Sequence, residues 1–136
     1  MISKDLSLEV IQKTYKKLSP HVLETPLIKG WKLIDEILNT NTFFKMEFMQ
    51  NSGTFKVRGA TNNVLNLTNE QKSSGITAVS AGNHAIATSY VANKFKLKNK
   101  IFMYKTANKY MKKKCEILNA NLNFTDPHNA FKQVEL

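Results

Sequence analysis

The sequence predicts an α/β chain, a parallel sheet with flanking helices assembled from βαβ units. Three observations carry this reading. Short β-type apolar runs recur at 43–49, 76–79, 101–104 and 122–124. Helical patterns lie between them at 54–67, 83–94 and 108–118. Two of the strand-to-helix junctions, Ser52-Gly53-Thr54 and Ser80-Ala81-Gly82, combine a glycine with small polar residues, the composition of a tight turn.

The elements follow in order. Residues 7–18 place Leu8, Ile11, Tyr15 and Leu18 at helical spacing, and Ser7 with Val10 fits an N-terminal start. Ser19-Pro20 ends that helix, because the residue before proline avoids the α region. Thr25-Pro26-Leu27-Ile28 reads as extended, and 31–38 as a helical turn or two, stopped by Asn39-Thr40-Asn41. Phe43 to Met49 is a β-type run. The helix over 54–67 sets Ala60, Val64 and Leu67 on one face. Gly75 leads into a strand from Ile76 to Val79, and Ser80-Ala81-Gly82 opens a helix from Asn83 to Lys94. Ile101 to Tyr104 is a strand, 108–118 a helix, and Leu122 to Phe124 a further strand; a last helix starts at Pro127. There is no repeat, low-complexity segment or linker. The final AFKQVEL is helix-forming and carries no stop signal, so 1–136 reads as the N-terminal portion of a domain whose C-terminal portion is absent.

At 42% hydrophobic residues, with eight Phe, four Tyr and one Trp, the chain has material for a packed core. No run is long enough to span a bilayer, and MISKDLSLEV lacks a signal-peptide apolar region. A cytoplasmic location and no membrane partner are expected. Cys115 is the only cysteine, which excludes an internal disulfide. Neighbouring lysines would favour its thiolate, although the plainer reading is a structural residue. The net charge of +10 raises the question of nucleic acid. Arg58 is the only arginine, however, and the lysines are spread along the chain apart from Lys112-Lys113-Lys114 and Lys94, Lys96, Lys98 and Lys100. Readers of bases and phosphates rely on arginine forks, so no nucleic-acid partner is expected.

Two segments carry the chemistry: Gln50-Asn51-Ser52-Gly53-Thr54-Phe55-Lys56-Val57-Arg58-Gly59-Ala60 and Ser80-Ala81-Gly82-Asn83-His84-Ala85. In an open α/β sheet, ligands bind at the carboxyl ends of strands, where both segments fall. Gly82 permits close backbone approach, and the N–H groups of the following helix can hold a carboxylate. A lysine early in a helix beside such a turn can be desolvated, which exposes a nucleophilic amine. On residue type alone, Lys56 reads as a surface lysine and His84 as a structural residue. The two segments in this order change that balance.

The pattern S-G-T-F-K-x-R-G-A followed by S-A-G-N-H-A resembles the fold-type II pyridoxal-phosphate enzymes, most closely the threonine and serine dehydratases. Thr25-Pro26-Leu27 and the spacing of Lys45, Glu47 and Gln50 resemble two further elements of that family, so the likeness runs from about residue 20 to about 130. The resemblance implies pyridoxal 5'-phosphate as cofactor, Lys56 as the Schiff-base lysine and base at Cα, and a small hydroxy amino acid, threonine or serine, as substrate. The reaction implied is β-elimination of water with release of a 2-oxo acid and ammonia. It places Asn83 on the cofactor's 3-hydroxyl and Phe55 against the cofactor. Ser80, Ala81, Gly82 and His84 would lie around the substrate carboxylate, and Ser52 and Thr54 on the substrate side. Arg58 and Gly59 are structural in this reading, no metal is implied, and homo-oligomers are common in the family. Related serine racemases carry a second serine where this chain has Ala81, which has no acid–base group; elimination is therefore preferred to racemisation. The alternatives are another member, such as a racemase or hydroxyaspartate dehydratase, and an inactive remnant. The family's glycine-rich phosphate loop is expected in the C-terminal portion, so little activity is expected of these 136 residues alone. Departures from the family pattern fall mostly on the scaffold: Ile86-Ala87 for Gln-Gly, Tyr104 and Asn108 for prolines, Met111 at or near a lysine, and Asn119 for glycine.

Overall fold

The computed structural model describes residues 7–126. Helix α1 (Leu8–Leu18) starts at Ser7, whose Oγ accepts the Val10 N–H at 3.3 Å, and ends before Ser19-Pro20 as expected. Strand β1 (Leu27–Lys29), helix α2 (Lys32–Leu38) and strand β2 (Phe43–Lys45) make a small unit in which the strands pair antiparallel, Ile28 opposite Phe44. Asn39 closes α2 at φ 48°, a left-handed conformation that asparagine tolerates. The strand expected to reach Met49 stops at Lys45 and gives way to a 3-10 turn, Glu47–Met49. The last bond along it runs from Met46 N–H to Pro26 O, and Pro26 has no N–H with which to continue the ladder.

Helix α3 (Lys56–Asn66) is followed by a separate α4 (Asn69–Ser74), absent from the sequence reading. Its start is a capping box: Thr68 Oγ1 accepts the Gln71 N–H at 3.2 Å and Gln71 Oε1 accepts the Thr68 N–H at 2.8 Å. Strand β3 (Ile76–Val79), helix α5 (Asn83–Lys94), strand β4 (Asn99–Tyr104), helix α6 (Lys109–Ile117) and strand β5 (Leu122–Thr125) form two βαβ units. The three strands are parallel in the order β3-β4-β5, with Ala78 opposite Ile101 and Met103 opposite Phe124. The parallel sheet with flanking helices is thus observed. The antiparallel β1–β2 pair is a second sheet that the alternation of elements does not reveal. The helix expected from Pro127 lies outside the described residues.

Helix α5 is the centre of the packing. Ala85 through Ser89, Val91 and Ala92 are all buried, so the helix is enclosed on every side rather than amphipathic. One side joins Ala85 and Ile86 to Ala78, Ile101, Met103 and Cys115 of the sheet and α6. The other joins Ala87 and Val91 to Val57, Ala60 and Val64 of α3 and to Leu18 and Val22. Its polar Ser89 is satisfied internally, donating to Ala85 O at 2.7 Å. Cys115 is fully buried in the first cluster, and burial pushes its thiol pKa up despite a hydrogen bond with Ser89. The thiolate suggested by the nearby lysines is therefore disfavoured, and the structural reading stands.

The scaffold departures are absorbed. Ile86 and Ala87 sit in the two cores. Asn108 caps α6 by accepting the Tyr110 N–H on Oδ1 at 2.8 Å, and Asn119 adopts φ 57° in the turn after α6. By contrast the hairpin is open to solvent. Ile28, Trp31, Phe43, Phe44, Met46 and Phe48 line a groove of about 480 Å³, and Trp31 is 75% exposed. Among the described residues no helix is long and apolar enough to cross a membrane.

Truncating Ile101, which is fully buried at the centre of the sheet, tests the packing. Ile101→Ala is expected to lower unfolding free energy by about 2–5 kcal/mol, read as a drop in the urea midpoint.

Candidate active site

The Lys56 segment is built as a turn that ends at the head of α3. Gly53 N–H donates to Gln50 O at 2.6 Å, and Gly53 has φ 75°, a left-handed conformation that only glycine adopts without strain. Ser52 and Thr54 are buried, and both hydroxyls serve the turn: Ser52 Oγ donates to Thr54 O at 3.2 Å, and Thr54 Oγ1 accepts the Lys56 N–H at 3.4 Å. Phe55 and Lys56 are exposed, with the Lys56 Nζ 5.2 Å from the centre of the Phe55 ring. The desolvation of Lys56 expected from the sequence is not provided by the described residues, because the side chain emerges at the surface rather than under the turn.

What fixes this turn is a polar lattice from the segment just before it. Lys45 Nζ donates to Thr25 O at 2.6 Å, the Thr25 hydroxyl donates to Glu47 Oε1, and the Gln50 amide pairs with both backbone groups of Leu23, at 2.8 and 2.9 Å. Lys45, Glu47 and Gln50 therefore all grip residues 23–25. Glu47 also takes a two-pronged bond from Arg58, Nε at 2.9 Å and Nη2 at 2.8 Å, and the same Nη2 reaches Leu23 O at 3.2 Å. Arg58, two residues after Lys56, is thus structural as expected. The Arg58 guanidinium, helped by the Thr25 hydroxyl, holds the Glu47 carboxyl below the usual glutamate range, and Glu47 raises Arg58 in turn.

The second segment lies where β3 hands over to α5. Ser80 N–H donates to Phe102 O at 3.0 Å, which extends the sheet by one bond, and Ser80 Oγ accepts the Gly82 N–H at 3.2 Å. Gly82 precedes α5, whose first residues Asn83 and His84 are exposed. Their N–H groups open the helix and lie ahead of its hydrogen-bonded ladder. A Cβ placed on Gly82 would meet nothing within 4 Å, so open space lies above this turn. His84 lines a cleft of about 200 Å³ with Ala60, Asn63 and Thr88, which sets it against α3.

The packing of α3 on α5 joins the element bearing Lys56 to the one bearing Asn83 and His84. Among the described residues no hydrogen bond joins the Lys56 amine to Ser80, Ala81, Gly82, Asn83 or His84. No cluster of metal-binding side chains is found among the described residues. Sequence reasoning missed the Glu47–Arg58 pair and the approach of Lys114 to the turn, where its Nζ donates to Ser52 O at 3.2 Å. Both span too much sequence for periodicity to reveal them.

The Glu47 shift has a sign that can be checked. A depressed carboxylate stabilises the fold fully above its unfolded pKa and loses that contribution as pH falls. Glu47→Gln is expected to lower stability at neutral pH by about 1–3 kcal/mol. It should also flatten the loss of stability below roughly pH 5, measured by urea unfolding across pH.

Comparison with known proteins places this geometry. The profile of the family described as "Pyridoxal-phosphate dependent enzyme" matches residues 18–135. The catabolic L-threonine dehydratase TdcB of Staphylococcus aureus (strain USA300) is 42% identical over 102 residues, which is 75% of this chain and 30% of the relative. Among solved structures, maize serine racemase superposes with a TM-score of 0.84 at 27% identity, covering 94% of this chain and 39% of that one. The threonine deaminase of T.th. superposes with a TM-score of 0.81 at 28% identity, covering 95% of this chain and 41% of that one. The chain spans about 30% of the length of the curated relatives it matches. A profile matched along nearly the whole chain, with the fold found again in solved members, means that this chain belongs to the pyridoxal-phosphate dependent enzyme family.

Proposed function

We propose that this chain supplies the lysine-bearing portion of a pyridoxal-phosphate-dependent ammonia-lyase acting on threonine or serine. The observation that carries the reading is the Lys56 amine itself. It stands at the head of α3 without an ion pair or hydrogen bond among the described residues, on a turn held rigid from behind. The residues present fit the cofactor: an uncommitted primary amine suits its aldehyde, and the open space above Gly82, ahead of the first N–H groups of α5, leaves room for an anionic group.

When bound, pyridoxal phosphate supplies an electron sink for negative charge at the substrate Cα. Lys56 would hold the cofactor through its Nζ, and the same amine, when free, would be the base for the Cα proton. Asn83 would hold the cofactor's ring hydroxyl through its amide, and Phe55, whose ring centre lies 5.2 Å from the Lys56 Nζ, would lie against the cofactor. Ser80, Ala81, Gly82 and His84 hold the substrate carboxylate against the first N–H groups of α5, where the helix dipole favours an anion. Ser52 and Thr54, which the resemblance sets on the substrate side, are buried with their hydroxyls engaged within the turn, and they serve the site by shaping that turn. Loss of the Cα proton and the β-hydroxyl as one water would leave an enamine, which tautomerises to an imine and is hydrolysed by a second water to the 2-oxo acid and ammonia. A racemase is the second reading, favoured by the likeness to maize serine racemase. Ala81 weighs against it, since a methyl group has no proton to deliver to the opposite face of Cα.

Incubation of the chain with pyridoxal phosphate, borohydride reduction and peptide mapping tests the assignment. The label is expected on Lys56 and is expected to vanish in Lys56→Arg; a principal label on any other lysine overturns the reading. Because the described residues leave the Lys56 amine in solvent, these 136 residues alone are expected to release little or no 2-oxobutanoate from threonine. Release at an ordinary enzymatic rate would contradict that.

A further inference from the structure

Helix α6 lies far from the Lys56 turn in sequence, yet it reaches the turn through one side chain. Lys114 Nζ donates to the main-chain carbonyl of Ser52 at 3.2 Å, across 62 residues of chain. Its ammonium lies 5.8 Å from the centre of the Tyr110 ring one helical turn earlier. A Cβ on Gly53 would come within 3.0 Å of that same Nζ. The glycine therefore does two things here: it adopts the left-handed φ the turn requires, and it leaves the space the ammonium occupies. A cavity of about 330 Å³ beside the contact is lined by Asn51, Ser52, Tyr110, Lys113 and Lys114, so among the described residues the space between α6 and the turn is incompletely packed.

The position of the ammonium is set from the core. Cys115, the next residue, is fully buried against α5, which fixes where α6 presents Lys114. Lys113, in contrast, is exposed and pairs with Glu116 at 3.7 Å. No salt bridge to a carboxylate is found for Lys114 among the described residues; its charge meets a carbonyl dipole and an aromatic face. A hydrogen bond from a charged donor is stronger than a neutral one. Here it falls on a carbonyl in the middle of a turn also held by Gln50, whose carbonyl accepts the Gly53 N–H.

We infer that Lys114 is a positioning residue for the Lys56 turn, clamping Ser52-Gly53 from the α6 side so that Lys56 is presented at a fixed place. The inference rests on the proposed role of Lys56 for its catalytic meaning, although the clamp itself does not need the cofactor. It makes the turn a two-sided mount: the residue 23–25 lattice on one side and a single cation on the other.

Hydrogen–deuterium exchange on the chain, without cofactor, tests it. In Lys114→Met the amides of Gly53 and Lys56, which donate to Gln50 O and Thr54 Oγ1 within the turn, are expected to exchange roughly five- to tenfold faster, while β4 and α5 amides keep their protection. Lys114→Arg, which retains the charge and a donor, is expected to restore turn protection to within about twofold. A general packing role for the aliphatic stem predicts no loss of protection in Lys114→Met, whose apolar side chain keeps that packing. Unchanged exchange in Lys114→Met, or failure of Lys114→Arg to restore it, overturns the inference. Should the methionine variant fail to fold, seen as lost β4 protection, Lys114→Gln is read in its place with the same expectation. Borohydride labelling of Lys56 is scored separately. Its failure alongside a responsive turn would sink the cofactor reading and leave the clamp standing, and the reverse pattern would do the opposite.

Discussion

The Glu47 carboxylate is where three otherwise separate stretches of chain meet. Thr25 reaches it from the first extended segment, Glu47 itself stands in the turn after the hairpin, and Arg58 comes from the first turn of α3. A two-pronged guanidinium–carboxylate bond constrains orientation as well as distance. Its place two residues beyond Lys56 means that the helix bearing the lysine cannot rotate without breaking it. The pair is partly buried, with side chains 26% and 16% exposed, so removal of either partner leaves a charge that water reaches only in part. Lys45 and Gln50 extend the same grip by holding Thr25 O and the Leu23 backbone. Three side chains at offsets of two and three residues thus work as one anchor, and this gives a physical reason for their spacing.

That anchor holds the turn, while α5 holds the two halves of the packing. Its Ala-rich sequence looks weakly patterned because both faces are covered, one by the parallel sheet and one by α3. Small side chains allow close approach on both sides, and Ile86 and Val91 supply the volume between them. A change of Lys56 presentation therefore has two sources, rotation of α3 at Glu47 or displacement of α3 on α5. The Gly82 turn, which belongs to α5, moves with the second and not with the first.

The parts of this fold that were readable in sequence are those with local causes. Ser7 as a cap, the proline after α1, the small-residue turn before α5 and the glycine in the Lys56 turn each act over a few residues. The capping box of α4 was also local, a Thr-x-x-Gln pattern, but its six-residue helix carries no apolar face to draw attention. The end of β2 could not be read from its own residues, since Pro26 on the partner strand decides it. Lys114 was one of three consecutive lysines, and only the burial of Cys115 tells which of them faces the turn. In the candidate site, Lys56, Asn83 and His84 were legible as types in a pattern. The exposure of Lys56 was not, because burial depends on which elements cover a helix end.

The open hairpin and the charge of the chain act against each other in solution. A two-stranded sheet is at best marginally stable alone, and its aromatic groove invites contact with any apolar surface, including that of another copy. A net charge of +10 opposes such contact, but only within the reach of its field. That reach contracts to about 10 Å at 0.1 M salt and about 3 Å at 1 M. Added salt therefore shortens the range over which the net charge opposes contact through Trp31, Phe43 and Phe44.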